Sequence, residues 1–456
     1  MREAKKGRKG ISRNSAQILG TCPKQGPRPE SRGIFVLCAW GVFAFAVSLG
    51  ISHLLDGILS EPVFDIEPSY AVLPEASDRV RSYFAQRAGL YVAATVWFLL
   101  GLAVLVRGRF ADRLLGRWSR LAFHPFWAAS AAWAAVCTFT AVWMMPVLVL
   151  STGIERAFGL STIGLGLWSA DRFRDWLLDL AWAPLVGLAW VLIRRYPRRW
   201  WLWLGCGLVP DGVLLTLVVP VAVDPLYNAY APMRNEALTG RIKNMATRAG
   251  LRDPVVLVSV RSGRTRKANA YVTGIGPTHR VVIWDTTLQR LAEDEVTAVV
   301  AHELGHYRYR HIWWGLAMYT VGGFAVQFVL YLTLPRVVRL LCATGLDDPR
   351  CVPAAYLGLT VILLIQTPVA SGISRIMERQ ADAYGLELCR DGEATARAFA
   401  SFSTDDLSHP DPPRALVLWY YTHPPLRERV GRALAYAERK PEPVTTSGQR
   451  VHGLPD

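Results

Sequence analysis

Apolar residues in this chain fall in long, nearly continuous runs separated by arginine-rich or turn-rich stretches. The first runs from Ile34 to Leu55, and others occupy about residues 88–106, 126–150, 176–193, 200–223, 312–334 and 352–374. A helix needs roughly 20 residues to cross a hydrocarbon layer of about 30 Å. The pattern therefore predicts seven transmembrane helices in a multi-pass protein of the cell membrane. Pro146, Pro184, Pro210 and Pro368 interrupt the predicted helices, and such breaks are tolerated where the freed backbone groups face protein or enclosed water. Asp211 puts a carboxylate within one of these runs. A carboxylate in a span faces the bundle interior or a cavity, unless the helix ends there and a loop begins.

Two segments lack such runs, residues 224–311 and 375–438, and together they are expected to form an aqueous domain. The first opens with a helical stretch over 232–250, closed by Gly250. Two strand-like runs follow, Val255 to Val260 and Arg280 to Trp284, separated by a turn-rich stretch with Gly274, Gly276 and Pro277. Residues 1–32 are basic, polar and aperiodic and read as a disordered tail, as do residues 439–456. The expected organisation is helices 1–5 over 33–223, the first aqueous part over 224–311, helices 6–7 over 312–374 and the second aqueous part over 375–438.

Composition narrows the function. The chain is 52% hydrophobic with 17 Trp, which a single soluble core does not account for. Its net charge of +15 is compatible with nucleic acid, but the arginines cluster at the edges of apolar runs: Arg107, Arg109, Arg113, Arg117 and Arg120, then Arg194, Arg195, Arg198 and Arg199. There they meet lipid headgroups, so the bilayer is the expected partner and nucleic acid is not. The seven cysteines show no CxxC spacing, which argues against a cysteine metal site. Cys342 and Cys351, in one short loop between two spans, are the candidates for a disulfide, provided that the loop faces an oxidising compartment.

The chemistry lies in His302-Glu303-Leu304-Gly305-His306. Two histidines at i and i+4 of a helix project from one face, a bidentate clamp for zinc, which in hydrolytic sites takes three protein ligands and leaves one position open. Glu303, beside the first histidine, can accept a proton from attacking water while the metal polarises a carbonyl. Val296, Val299 and Val300 give the helix an apolar face, so it is packed rather than solvated. For the third ligand, Glu378 and Asp382 stand at i and i+4 on the helical continuation of the last span. One of the two carboxylates can bind the metal while the other accepts the free N–H of a ligating histidine. The reading is a membrane zinc metalloendopeptidase with one Zn2+ per chain, acting on a peptide or protein. A metal transporter or channel would need ligating or charged residues within several spans, and a non-catalytic scaffold would not need Glu303.

Beyond these residues, Asp224-Pro225-Leu226-Tyr227-Asn228, Ser262-Gly263-Arg264, Asn269-Ala270-Tyr271, Asp285-Thr286-Thr287-Leu288 and Thr422-His423-Pro424-Pro425 with Arg429 resemble the M48 zinc peptidases, in their Ste24-like branch. The likeness runs from about residue 155 to 435. It implies a mainly α fold, a bundle of seven helices around a water-filled chamber with a small α+β zincin-type catalytic domain. It further implies zinc on His302, His306 and Glu378, Glu303 as base, and Asp382 supporting a ligand. By the same resemblance Asn269, Ala270 and Tyr271 lie near the strand that lines the peptide cleft, and His423 contacts substrate or transition state.

Overall fold

The computed structural model describes residues 31–58, 75–107, 124–342, 345–346 and 348–439. The two tails, the arginine cluster at 109–120 and the Cys342 side chain lie outside the described residues, apart from Ser31 and Arg32, which open the first helix, and Arg439, which follows the last. The chain order is α1 (Ser31–Ile58), α2 (Asp78–Arg107), α3 (Pro125–Ala157), α4 (Leu165–Ala181), α5 (Ala183–Arg195), α6 (Trp200–Val218), α7 (Asp224–Tyr227), β1 (Ala229–Pro232), α8 (Glu236–Arg248), β2 (Val255–Val260), β3 (Ala270–Thr273), β4 (Arg280–Trp284), α9 (Asp285–Arg290), α10 (Glu293–Arg308), α11 (His311–Cys342), α12 (Val352–Cys389), α13 (Gly392–Thr404), α14 (Arg414–Tyr420) and α15 (Leu426–Glu438).

Seven stretches among the described residues are long and apolar enough to cross a membrane, as the hydrophobic pattern predicts. Large apolar side chains such as Val96, Val142, Leu214 and Val321 stay exposed along them, the surface that lipid covers. The fourth span departs from its expected bounds. It begins at Leu165 and consists of α4 and α5 with a break at Trp182, next to Pro184. Asp171, Arg172, Arg174 and Asp175 thereby fall on a membrane helix, so Asp211 is not the only charge within a span. A hydropathy window passes over such residues because it averages their charge without seeing their partners. Asp171 is buried and accepts hydrogen bonds from Arg174 at 2.9 Å and from Arg264 of the aqueous domain at 3.3 Å. Tyr227 donates to Asp175 at 2.6 Å. Asp211 lies inside α6 and accepts from Tyr319 of α11 at 2.6 Å, so it joins two spans rather than marking a loop.

The aqueous domain has a four-stranded sheet in the order β1-β2-β4-β3, with β2 and β4 parallel and both outer pairs antiparallel. β1 was not expected, because four residues leave no readable alternation. The helix expected over 232–250 is shorter, starting after Asn235, whose side chain accepts from the Leu238 N–H. It ends before Gly250, whose φ of +92° is left-handed. Beneath the sheet, Val296, Val299, Val300 and Leu304 of α10 pack on Val281 and Ile283. Glu293, Asp294 and Glu295 occupy the first turn of α10, where carboxylates complement the helix dipole.

α10 also crosses α12, and two glycines set the separation. A Cβ on Gly305 would lie 2.8 Å from Ala381 Cα, and one on Gly385 would lie 3.0 Å from His302 Cα. Hydrogen as side chain lets the two backbones touch, which brings the motif on one helix within reach of the carboxylates on the other.

Candidate metal centre

α10 presents His302 and His306 one turn apart, with their Nε2 atoms 3.3 Å from each other. Across the glycine crossing, α12 presents Glu378, with Oε2 3.3 Å from His302 Nε2 and Oε1 3.4 Å from His306 Nε2. Zinc–nitrogen bonds of about 2.0–2.1 Å in a tetrahedron put neighbouring donors about 3.3–3.4 Å apart, so the spacing matches a tetrahedral edge. Glu378 Oε2 is buried without a hydrogen-bond partner among the described residues. Two imidazoles and a carboxylate whose donor atoms lie within 4.8 Å of one another form a set suited to zinc with an open fourth position.

Charge points the same way. Burial opposes a charge on His302, but the adjoining carboxylates of Asp382 and Glu378 outweigh it and push the imidazole up to about 10. Without a metal, a proton on His302 supplies the positive charge the carboxylates demand. Burial, together with the nearby His302 charge, pushes His306 down to about 3, leaving it neutral as a ligand must be. Glu303 Oε1 is 4.0 Å from His302 Nε2, and burial pushes this carboxyl up to about 7.

The ligand orientations are held from behind. Asp382 Oδ1 lies 2.8 Å from His302 Nδ1, so Nδ1–H donates to it and Nε2, turned toward the centre, is the nitrogen that would exchange its proton for a metal. Arg429 of α15 grips Asp382 with both ends of its guanidinium, at 2.9 and 2.6 Å, and stacks over Phe399 at 4.0 Å. His306 Nδ1 is 2.9 Å from His311 Nδ1, and His311 Nε2 is 3.1 Å from Gln380 Oε1. Since Gln380 accepts from Nε2–H, His311 Nδ1 is the acceptor for His306 Nδ1–H, which leaves Nε2 of the ligand free. Neither His311 nor Gln380 stands out in the sequence. One is a lone histidine at the start of a span, the other an amide between Glu378 and Asp382.

His423 sits on the loop between α14 and α15, with Nε2 3.3 Å from Glu378 Oε2 and its ring open to solvent. That loop hangs on Arg375, fully buried on α12 one turn before Glu378. Its guanidinium donates to the carbonyls of Val417 at 2.8 Å and Tyr421 at 2.7 Å, to Ser52 Oγ at 2.9 Å and to Asp56 at 2.8 Å. Arg379 adds bonds to Asp56 and Glu428. The end of α1, the α12 helix and the His423 loop thus share one buried ionic knot.

Asn269, Ala270 and Tyr271 lie beside α10 but do not direct functional groups into the centre. The Asn269 side chain accepts from the Ala270 N–H at 2.8 Å, Ala270 is in the core, and the Tyr271 hydroxyl is held by Asp224 at 3.0 Å and by Tyr230. What the segment offers is backbone. β3 is the outer strand of the sheet on the side of α10. Ser262 and Asp285 bond to each other at 2.6 Å and shape the turn that carries Arg264 to Asp171, so these motif residues join the aqueous domain to the membrane helices.

Comparison with known proteins extends this picture. Residues 232–437 match the family model for peptidase family M48, and residues 70–229 match that for the CAAX prenyl protease N-terminal region of five membrane helices. An "Uncharacterized metalloprotease YhfN" of Bacillus subtilis (strain 168) is 27% identical over 406 residues, 88% of this chain and 94% of that one. "CAAX prenyl protease 1" of Saccharomyces cerevisiae is 28% identical over 309 residues, 63% of this chain and 67% of that one. The crystal structure of S. mikatae Ste24p superposes with a TM-score of 0.72 at 23% identity, covering 90% of this chain and all of that one. At that identity the superposition speaks to the fold, a helical membrane shell with a small mixed sheet.

Proposed function

The chain belongs to peptidase family M48, in its Ste24-like branch, and is a multi-pass membrane metalloprotease; from that premise we propose that it is an endopeptidase holding one zinc on His302, His306 and Glu378, with Glu303 as general base. The observation that carries this reading is the tetrahedral-edge spacing of the three donors, with a carboxyl of near-neutral proton affinity beside them.

Zinc at this centre would supply positive charge that polarises a scissile carbonyl and acidifies water. Glu303 then takes the proton of the water that attacks the carbonyl carbon and returns it to the amide nitrogen as the C–N bond breaks. A carboxyl whose proton affinity lies near neutrality is fitted to both transfers. Asp382, Arg429, His311 and Gln380 keep the two imidazoles in the tautomers that ligation needs. His423, beside Glu378 on the solvent side of the centre, would donate a hydrogen bond to the carbonyl oxygen as charge develops there. The substrate lies extended along the outer edge of β3 and takes its register from strand-like backbone hydrogen bonds rather than from the Tyr271 side chain.

The test is Glu303→Gln in the detergent-purified full chain, with zinc measured beside cleavage of quenched fluorescent peptides, prenylated and unprenylated. We expect full zinc content with cleavage lowered about 10²–10⁴-fold. Undiminished cleavage would remove Glu303 from the mechanism, and loss of zinc from the variant would mean that Glu303 is itself a ligand.

A further inference from the structure

The far end of α10 carries a feature that peptide hydrolysis does not use. A cavity of about 480 Å3 opens where the catalytic helix ends and span six begins, and Arg248, Arg308, Arg310, His279, Gly274 and Trp313 are among its walls. No carboxylate lines it among the described residues, and none of the three guanidiniums has an ion pair there. Arg248 and Arg308 stand in the last turns of α8 and α10, whose carbonyl ends each carry about half a negative charge. Three full cations exceed that, so the cavity is left electropositive.

A second cavity, about 280 Å3, adjoins the first and shares Gly274 and His279 with it. Its walls are mostly apolar: Leu217, Pro220 and Val221 at the end of span five, and Val255 and Leu257 from the sheet. Leu217, Val221 and Val255 are exposed, the last on an otherwise aqueous domain. Next to the arginines, Ile312, Trp313 and Trp314 are exposed at the start of span six, the level at which aromatic side chains meet lipid headgroups. A cationic pocket joined to an apolar slot at the membrane surface matches an amphiphile with an anionic head.

We propose that this paired cavity binds one anionic phospholipid, its phosphate among Arg248, Arg308 and Arg310 and the start of its acyl chains along Leu217, Val221 and Val255. Arg308 lies two residues beyond His306 at the end of the same helix, and Arg310 directly precedes His311, the partner of His306. A bound headgroup therefore secures the end of the helix that presents both imidazoles.

The experiment is native mass spectrometry of the detergent-purified full chain titrated with dioleoyl phosphatidylglycerol, dioleoyl phosphatidylcholine or glycerol 3-phosphate. It reads binding without cleavage, so it stands or fails separately from the peptidase assignment. Wild type should retain one phosphatidylglycerol in preference to phosphatidylcholine, and glycerol 3-phosphate should not displace it. Replacing Arg248, Arg308 and Arg310 together by Gln should weaken retention about 100-fold, from roughly fivefold per cation near the surface. Arg195, Arg198 and Arg199 replaced by Gln remove the same charge elsewhere and should leave that one lipid in place. Val221→Asp should weaken retention with all three arginines intact. Should the triple variant not fold, Arg310→Gln alone, expected to lose about fivefold, carries the test. Equal losses in the two triple variants, no preference for the anionic lipid, or an unchanged Val221→Asp would overturn the proposal, and displacement by glycerol 3-phosphate would make this a phosphate site rather than a lipid site.

Discussion

The crossing of α10 with α12 and the shell of membrane helices around it are held together on different terms. In the shell, exposed Val96, Val142 and Val321 meet lipid, and the helices touch along limited seams such as Leu102, Val136 and Val338. At the crossing, backbones meet through Gly305 and Gly385 and His302 meets Asp382 within 3.5 Å, and α12 ties the crossing to its surroundings through further buried charge pairs, Asp382 with Arg429 of α15 and Arg375 with Asp56 at the end of α1. A shell needs apolar surface and length, which many sequences supply. A centre that holds three donors a few ångströms apart needs its supports specified residue by residue. The lipid-facing positions of the shell should therefore forgive substitution where the crossing and the charge pairs that anchor it do not.

The sharpest break expected is Asp56→Ala, far from the motif in sequence. It leaves Arg375 buried without its carboxylate partner, and removing one member of a buried pair costs about 3–5 kcal/mol. A lowered midpoint of thermal unfolding, with zinc and cleavage lost together, is the expected result. Wild-type stability would mean that the knot does not hold the His423 loop. Next comes Asp382→Asn, which keeps the shape but weakens the hold on His302 and leaves Arg429 short of charge. Zinc affinity measured by competition with a chelator should fall about 10–100-fold. Gly305→Ala is expected to follow, since its methyl must push α12 away and overpacking of this kind costs about 1–3 kcal/mol. Its diagnostic is a fall in both zinc affinity and thermal stability, whereas a fall in stability alone would show that the donors follow the helix. The smallest effect belongs to the shell. Val96→Ala should change stability by less than about 0.5 kcal/mol and leave cleavage unaltered, and a larger loss would mean that this face packs against protein.

Much of this molecule is legible from its sequence because the relevant signals are local. Seven apolar runs become spans since backbone groups in lipid must be satisfied within the segment. HELGH places two imidazoles on one face through helical periodicity alone, and Glu378 with Asp382 share a face for the same reason. Local rules falter where a residue's meaning depends on a partner. The charges Asp171 and Asp175 obscure the true start of span four in the sequence, since Arg264 and Tyr227, distant in the chain, complete the partnerships that Arg174 and Arg172 begin on the same helix. Four-residue β1 escaped notice because pairing with β2, not its own alternation, makes it a strand.

Sequence by itself determined that this is a membrane-spanning protein with a two-histidine motif and a later pair of carboxylates. Which carboxylate faces the histidines was decided by the tertiary structure, through the tight crossing at Gly305 and Gly385. So were the parts played by Gln380, Arg429 and Arg375, which lie near the centre because helices far apart in the chain pack together, and that of His311, whose chain turns back onto His306 and meets Gln380 across the packing. The physical reason is common to all of them. Helical periodicity says which way a side chain points, but what it meets there depends on the distance and angle between elements, and those are set by the packing of the whole fold.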